Sequence, residues 1–170
     1  DQIGRMLRSS VHQDFLGALD EVAAPLRALI ERDSDLAIFQ VLRQDGNAHT
    51  QYGVTHSIHA AITSFLVAQR LGWDQASVQK VFKVALTMNL SMLELQGQLA
   101  TQTTPVTPQQ REAIHSHPQR SVEMLQLSGI TDKHWLDGVA HHHVAPDGTG
   151  YPAGQREVGD LAALVRRADI

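Results

Sequence analysis

Residues 81 to 93, VFKVALTMNLSML, are apolar almost all round. A helix with apolar side chains on every face leaves no side for water, so this stretch is expected to be the buried middle of a helical domain. The flanking sequence is punctuated in helical terms. Residues 2 to 31 carry Leu16, Leu19, Val22, Leu26, Leu29 and Ile30 near a 3.6 period, with Pro25 expected to bend or split the segment. Ser34 or Asp35 is expected to cap a short helix running through Leu42 and stopping near Asp45-Gly46-Asn47. A strong helix over 53–71 ends at Gly72, and Asp74 caps the next, expected over 75–96. Residues 97–107 are polar and contain Pro105. Thr107-Pro108 opens another helix, and His117-Pro118 repeats that signal for a helix to about Leu127. Helices over 131–143 and 157–169 complete the series. No repeat, low-complexity segment or β alternation interrupts it. The expected fold is all-α, a single-domain bundle of six to eight helices.

Composition narrows the function. The 170 residues suffice for one domain with a real core, and the scarcity of aromatics beside abundant Ala and Leu favours helix over sheet. There is no cysteine, which excludes disulfides and thiolate metal sites and suits a reducing, cytoplasmic compartment. No run of about 18 apolar residues offers a membrane span. No signal peptide is visible, and because the first residue is Asp1 the natural start is expected to lie upstream. A net charge of −4 without a basic stripe argues against a nucleic-acid groove. The outlier is ten histidines. Without cysteine, any transition-metal site must use imidazole and carboxylate.

Taken singly, each histidine has an ordinary explanation. His12, His49 and His134 stand in polar contexts. His56 and His59 can share a helix face. His115 and His117 flank the expected helix start, where His117 can serve as N-cap. His141, His142 and His143 project about 100° apart on a helix, so at most two neighbours can straddle one ion. The loop that follows, APDGTGYP, reads as two turns, Asp147-Gly148 and Thr149-Gly150, stiffened by Pro152. A loop bearing Tyr151 directly after a histidine-rich helix is a better functional candidate than either part alone.

At this point the chain resembles a family, the HD-GYP domains, an all-helical branch of the HD metal-dependent phosphohydrolases. The likeness runs from about residue 49 to 170, leaving 1–48 as helices leading into the domain. HHHVAPDGTGYP is similar to the family's HHExxDGxGYP, with Val144 in place of glutamate. HSHPQRSVEML resembles its HPxxGxxxL segment and puts His117 at a ligand position. THSIHAAITSFLVAQRLG resembles the early helix supplying a first ligand, His56, and LAALVRRADI the segment supplying a late aspartate, Asp169. The resemblance thus implies a ligand set of His56, His117, His142, His143 and Asp169. It implies a substrate or partner loop at Asp147, Gly148, Gly150, Tyr151 and Pro152. It also implies hydrolysis of cyclic di-GMP on two or three metal ions, and loop contacts to other signalling domains. The chain stops just after Asp169, where the family continues with more helix, so a truncated C-terminal end is expected.

The departures fall at the centre. Where the family pattern is similar to ALLHDIGK, this chain has ALTMNLSM, with Met88 for histidine, Asn89 for aspartate and Met92 for lysine. Tyr52 stands one turn before His56, where some members carry glutamate. Two dications about 4 Å apart repel by roughly 17 kcal/mol at an effective dielectric near 20, and carboxylates must offset that. Asn89 is neutral and imidazoles add no negative charge. The expectation is therefore one divalent transition-metal ion (iron, manganese, zinc or nickel) rather than a binuclear centre. Three functions remain open: a degenerate domain that binds cyclic di-GMP or a partner without hydrolysis, a phosphodiesterase with an altered centre, and a scaffold. The lost bridging ligand favours the first, and the retained loop and histidines count against the third.

Overall fold

The computed structural model describes Gly4, Leu7, residues 15–42 and residues 52–169. His12, His49 and the expected stop at Asp45-Gly46-Asn47 lie outside the described residues. Eight α-helices and a short 3-10 turn make up the described fold: α1 Phe15–Arg32, α2 Ser34–Leu42, α3 Tyr52–Arg70, α4 Gln75–Thr87, the turn Leu90–Met92, α5 Leu93–Leu99, α6 Pro108–Leu127, α7 Lys133–His141 and α8 Asp160–Ala168. There is no strand among the described residues. The all-α expectation holds.

The ends of several helices follow their sequence signals. Asp74 accepts the Ser77 amide at 3.0 Å at the start of α4. Thr107 and Gln110 form a reciprocal capping box at the start of α6, with Pro108 in the first turn. Gly72 closes α3 with φ +75°. At α2 the cap moves back by one or two residues from the expected Ser34 or Asp35. Asp33 accepts the Leu36 amide at 2.9 Å, so Ser34 and Asp35 are the first helical residues.

Three expectations are corrected. Pro25 does not split α1, which runs through it. The middle segment is not one helix over 75–96. It stops at Thr87, passes through Met88 and Asn89 into the 3-10 turn, and resumes as α5. Met88 and Met92 are both buried, but on either side of this break rather than on one helical face. Tertiary bonds hold the break open. The Ser91 amide donates to Ser121 Oγ at 3.2 Å and Ser91 Oγ to the His117 carbonyl at 2.9 Å, tying the turn to α6. Third, Pro118 starts no new helix; it sits inside α6. Proline has no amide to give the carbonyl four residues back. That carbonyl, on Ile114, takes His117 Nδ1 instead, at 2.6 Å.

α4 is central, packing against α3, α7 and α8. Phe65 of α3 meets Phe82 of α4 edge-on at 5.9 Å. A buried polar chain locks α7 to α4: Trp135 Nε1 donates to Thr87 Oγ1 at 2.9 Å, and that hydroxyl donates to the Lys83 carbonyl at 2.7 Å. Phe15, Leu19, Ala23 and Ile30 of α1 belong to the same apolar cluster as Val81, Leu86, Met88 and Leu125. The result gathers the ends of α7 and α8 beside the start of α3 and the middle of α6.

Candidate metal centre

Five elements converge on one point. His56 comes from the second turn of α3, Asn89 from the break after α4, and His117 from the middle of α6. His142 and His143 follow the end of α7, and Asp169 follows α8. The break in the middle segment turns the Asn89 side chain toward Asp169. At the end of α7 the Val139 carbonyl takes a side chain, His142 Nδ1, in place of a helical amide.

His117 and His142 are fully buried and share one construction. His142 Nδ1 lies 2.6 Å from the Val139 carbonyl, as His117 Nδ1 does from that of Ile114. A carbonyl only accepts, so both Nδ1 atoms carry the proton and each Nε2 presents a lone pair. Those two Nε2 atoms face each other at 3.0 Å. Facing lone pairs repel unless a proton or a metal cation lies between them. Burial pushes the His117 pKa down to about 4 and that of His142 to about 3, so no proton is held there at neutral pH. His143 completes the group: one ring nitrogen from each of the three lies within 4.8 Å of the others. A neutral imidazole whose far nitrogen is fixed by a carbonyl is the arrangement that orients histidine toward a metal. The donor set fits one ion that favours imidazole, such as zinc, iron or nickel.

Asp169 forms the second half of the site. Its Oδ1 lies 2.7 Å from His56 Nε2 and accepts from Asn89 Nδ2 at 3.2 Å, and its Oδ2 lies 3.4 Å from His143 Nε2. Burial alone would raise its pKa, but the His56 bond and the neighbouring imidazoles hold it below the usual carboxylate value. The structure therefore brings His56, His117, His142, His143 and Asp169 together. Asn89 Oδ1 is buried without a hydrogen-bond partner among the described residues. Val144, in place of glutamate, is fully buried.

The other histidines separate from this group. His117 is not an N-cap; it lies mid-helix. His134 and His141 line a cleft with Trp73, Lys80, Asp137 and Asp160, and none of the clustered residues borders it. His115 is exposed, yet its ring stacks on Tyr151 at 4.9 Å with 5° between planes. That role was not visible in the sequence, because residues 115 and 117 lie about 200° apart around a helix. Tyr52 stacks on His56 at 6.0 Å.

The loop folds back on the cluster. Asp147 Oδ1 accepts the Thr149 amide at 3.0 Å and its hydroxyl at 2.7 Å, while Gly148 takes φ +81°. The Tyr151 amide donates to the His143 carbonyl at 3.2 Å. Pro152 is exposed. Gly150 makes that return possible, since a Cβ there would collide with the His143 carbonyl and come within 2.6 Å of the Ala145 nitrogen. Gly150→Ala is expected to displace the loop and lower the melting temperature by about 5 °C, a cost of roughly 2 kcal/mol. A calorimetric melt identical to wild type would contradict this.

Comparison with known proteins agrees with this picture. The sequence model of the HD domain matches residues 41–159. A cyclic di-GMP phosphodiesterase of Pseudomonas aeruginosa is 24% identical over 126 residues, which is 71% of this chain and 30% of that protein. No solved structure matches. No helix among the described residues is long and apolar enough to cross a membrane. With an all-helical bundle around a buried histidine cluster, and a family match over most of its length, the chain belongs to the HD domain family.

Proposed function

We propose that residues 49–170 form a signalling module of the HD-GYP type that holds one divalent transition-metal ion and binds a cyclic dinucleotide or a partner domain without hydrolysing phosphodiesters. Residues 1–48 lead into it, and on the same reading it works in the bacterial cytoplasm. His117, His142 and His143 are the residues that would hold the ion. The observation that carries this is the pair of facing Nε2 lone pairs of His117 and His142 at 3.0 Å, which only a cation relieves. Such an ion, when bound, supplies Lewis-acid polarisation of a ligand oxygen.

The absence of hydrolysis rests on Asn89. A two-metal centre needs carboxylate charge between the ions. Here an amide donates to Asp169 at 3.2 Å, and Asp169 is already bonded to His56. Met88 and Met92 add apolar volume where proton-transferring or phosphate-binding side chains would be needed. Asp147, Gly148, Gly150, Tyr151 and Pro152 then serve as the loop that contacts ligand or partner. Because the Pseudomonas relative is named for cyclic di-GMP, that molecule is the first ligand to test.

The test combines metal analysis with a turnover assay. Protein purified without chelator or affinity tag should carry close to one equivalent of iron, manganese, zinc or nickel, and His142→Ala should carry almost none. Cyclic di-GMP should persist for hours at neutral pH with added manganese or iron. Multiple turnover that survives repurification and disappears in His142→Ala would establish instead a phosphodiesterase with an altered centre.

A further inference from the structure

The three clustered histidines are not equally anchored. His117 and His142 are each fixed by a carbonyl on Nδ1 at 2.6 Å. His143 has no such bond among the described residues; its polar contact is Asp169 at 3.4 Å. Its ring touches those of His142 at 4.2 Å, tilted, and His117 at 5.1 Å, edge-on, and the contact closest to parallel stacking is with Tyr151. The two rings stack at 4.4 Å between centroids with 27° between planes. His115 stacks on the same phenol at 4.9 Å and 5°. The edge of the array meets His117 at 6.1 Å and 79°. Backbone reinforces ring, since the Tyr151 amide also donates to the His143 carbonyl at 3.2 Å.

We infer that Tyr151 is a positioning residue for His143, with His115 as its backstop, so that the loop over residues 146–154 and the histidine cluster move as one unit. Flat aromatic faces attract at these separations and resist tilting. A metal-binding imidazole needs its ring plane fixed by an outer partner, and loss of such partners weakens metal binding by about 10–100-fold. For His117 and His142 the outer partner is a carbonyl. For His143 it is an aromatic face delivered by the loop. Two consequences follow from linkage: an ion on the cluster stiffens the loop, and a partner that pulls Tyr151 away weakens the ion by the same factor. The metal half of this inference rests on the single-ion reading above; the ring contact itself does not.

Because the face of the ring carries the contact, Tyr151→Phe should bind zinc within about 2-fold of wild type in a chelator competition. Tyr151→Ala should weaken zinc by about 10-fold, at the low end of the range for lost outer partners. His115→Ala should fall between them, and His115→Phe should recover. A general structural role would move melting temperature in all variants without this split between Phe and Ala. Amide exchange at Tyr151, followed by nuclear magnetic resonance on the metal-free chain, supplies the second measurement. His143→Ala keeps the accepting carbonyl but removes the ring, and should speed Tyr151 exchange by roughly 10-fold, the factor for about 1.4 kcal/mol. Equal zinc affinity in wild type and Tyr151→Ala, or unchanged exchange in His143→Ala, overturns the inference. If wild type binds no ion while exchange still responds, the coupling stands and the single-ion reading fails.

Discussion

Met88→Asp is expected to unfold the domain at ambient temperature or leave it melting far below wild type. Met88 is completely buried, at the end of α4, inside the cluster that includes Val84, Leu86 and Val139. A carboxylate there has two options. It stays charged and loses its hydration, or it takes up a proton and still leaves polar oxygens in apolar surroundings. Either costs several kcal/mol, against a total stability of about 5–15 kcal/mol for a domain. Met88→Leu keeps volume and apolarity and should cost less than about 1.5 kcal/mol. Urea or thermal unfolding of the two variants separates a charge effect from a shape effect. A Met88→Asp protein that melts with wild type would show that this position faces water or a cation.

The bundle was legible because its strongest signals are local. Asp74, Thr107 and Gly72 each act within one helical turn, and each terminates or starts a helix where the residue type demands it. The all-round apolarity of 81–93 correctly marked the centre, but the same uniformity hid the break at Met88 and Asn89. A segment that is apolar on every face carries no periodic record of where its helix stops. The residues that stabilise the break, Ser91 and Ser121, lie thirty positions apart in the chain. Pro118 misled for a related reason. Proline usually opens a helix, and here the imidazole one residue earlier repairs the bond that proline removes. The convergence of His56, His117, His142, His143 and Asp169 was suggested by resemblance to a family, since spacing alone gave weak signals for each histidine. That Tyr151 packs back beside His142 is a reading the sequence allowed, and the contact with His143 agrees with it; its stacking on His115 was not legible, because it depends on a loop returning to a helix more than thirty residues upstream.

Acid should begin to destabilise the domain above the range where carboxylates titrate. His117 and His142 have pKa values near 4 and 3 in the folded protein, against 6.5 for an ordinary histidine, because burial disfavours their charged forms. The unfolded chain therefore takes up protons before the folded one does. Stability is full above about pH 6.5 and is lost as pH falls through the window toward 4 for His117 and toward 3 for His142. At about 1.4 kcal/mol per pKa unit, the pair contributes on the order of 8 kcal/mol across that window. The slope of stability against pH should correspond to about two protons between pH 4 and 6. Asp169 adds to the loss only at lower pH, because its pKa is depressed below 3.8. An ion on the cluster opposes the proton directly, since it requires the same Nε2 lone pairs. Zinc at 100 times its dissociation constant adds about 2.7 kcal/mol at neutral pH and moves the acid midpoint downward. His142→Phe removes one of the two protons and should flatten the slope by about half. Chemical denaturation at a series of pH values, with and without zinc, reads all of these. A stability flat from pH 7 to 4.5 would mean that the two imidazoles reach water, and the lone-pair argument for a metal would fail with it.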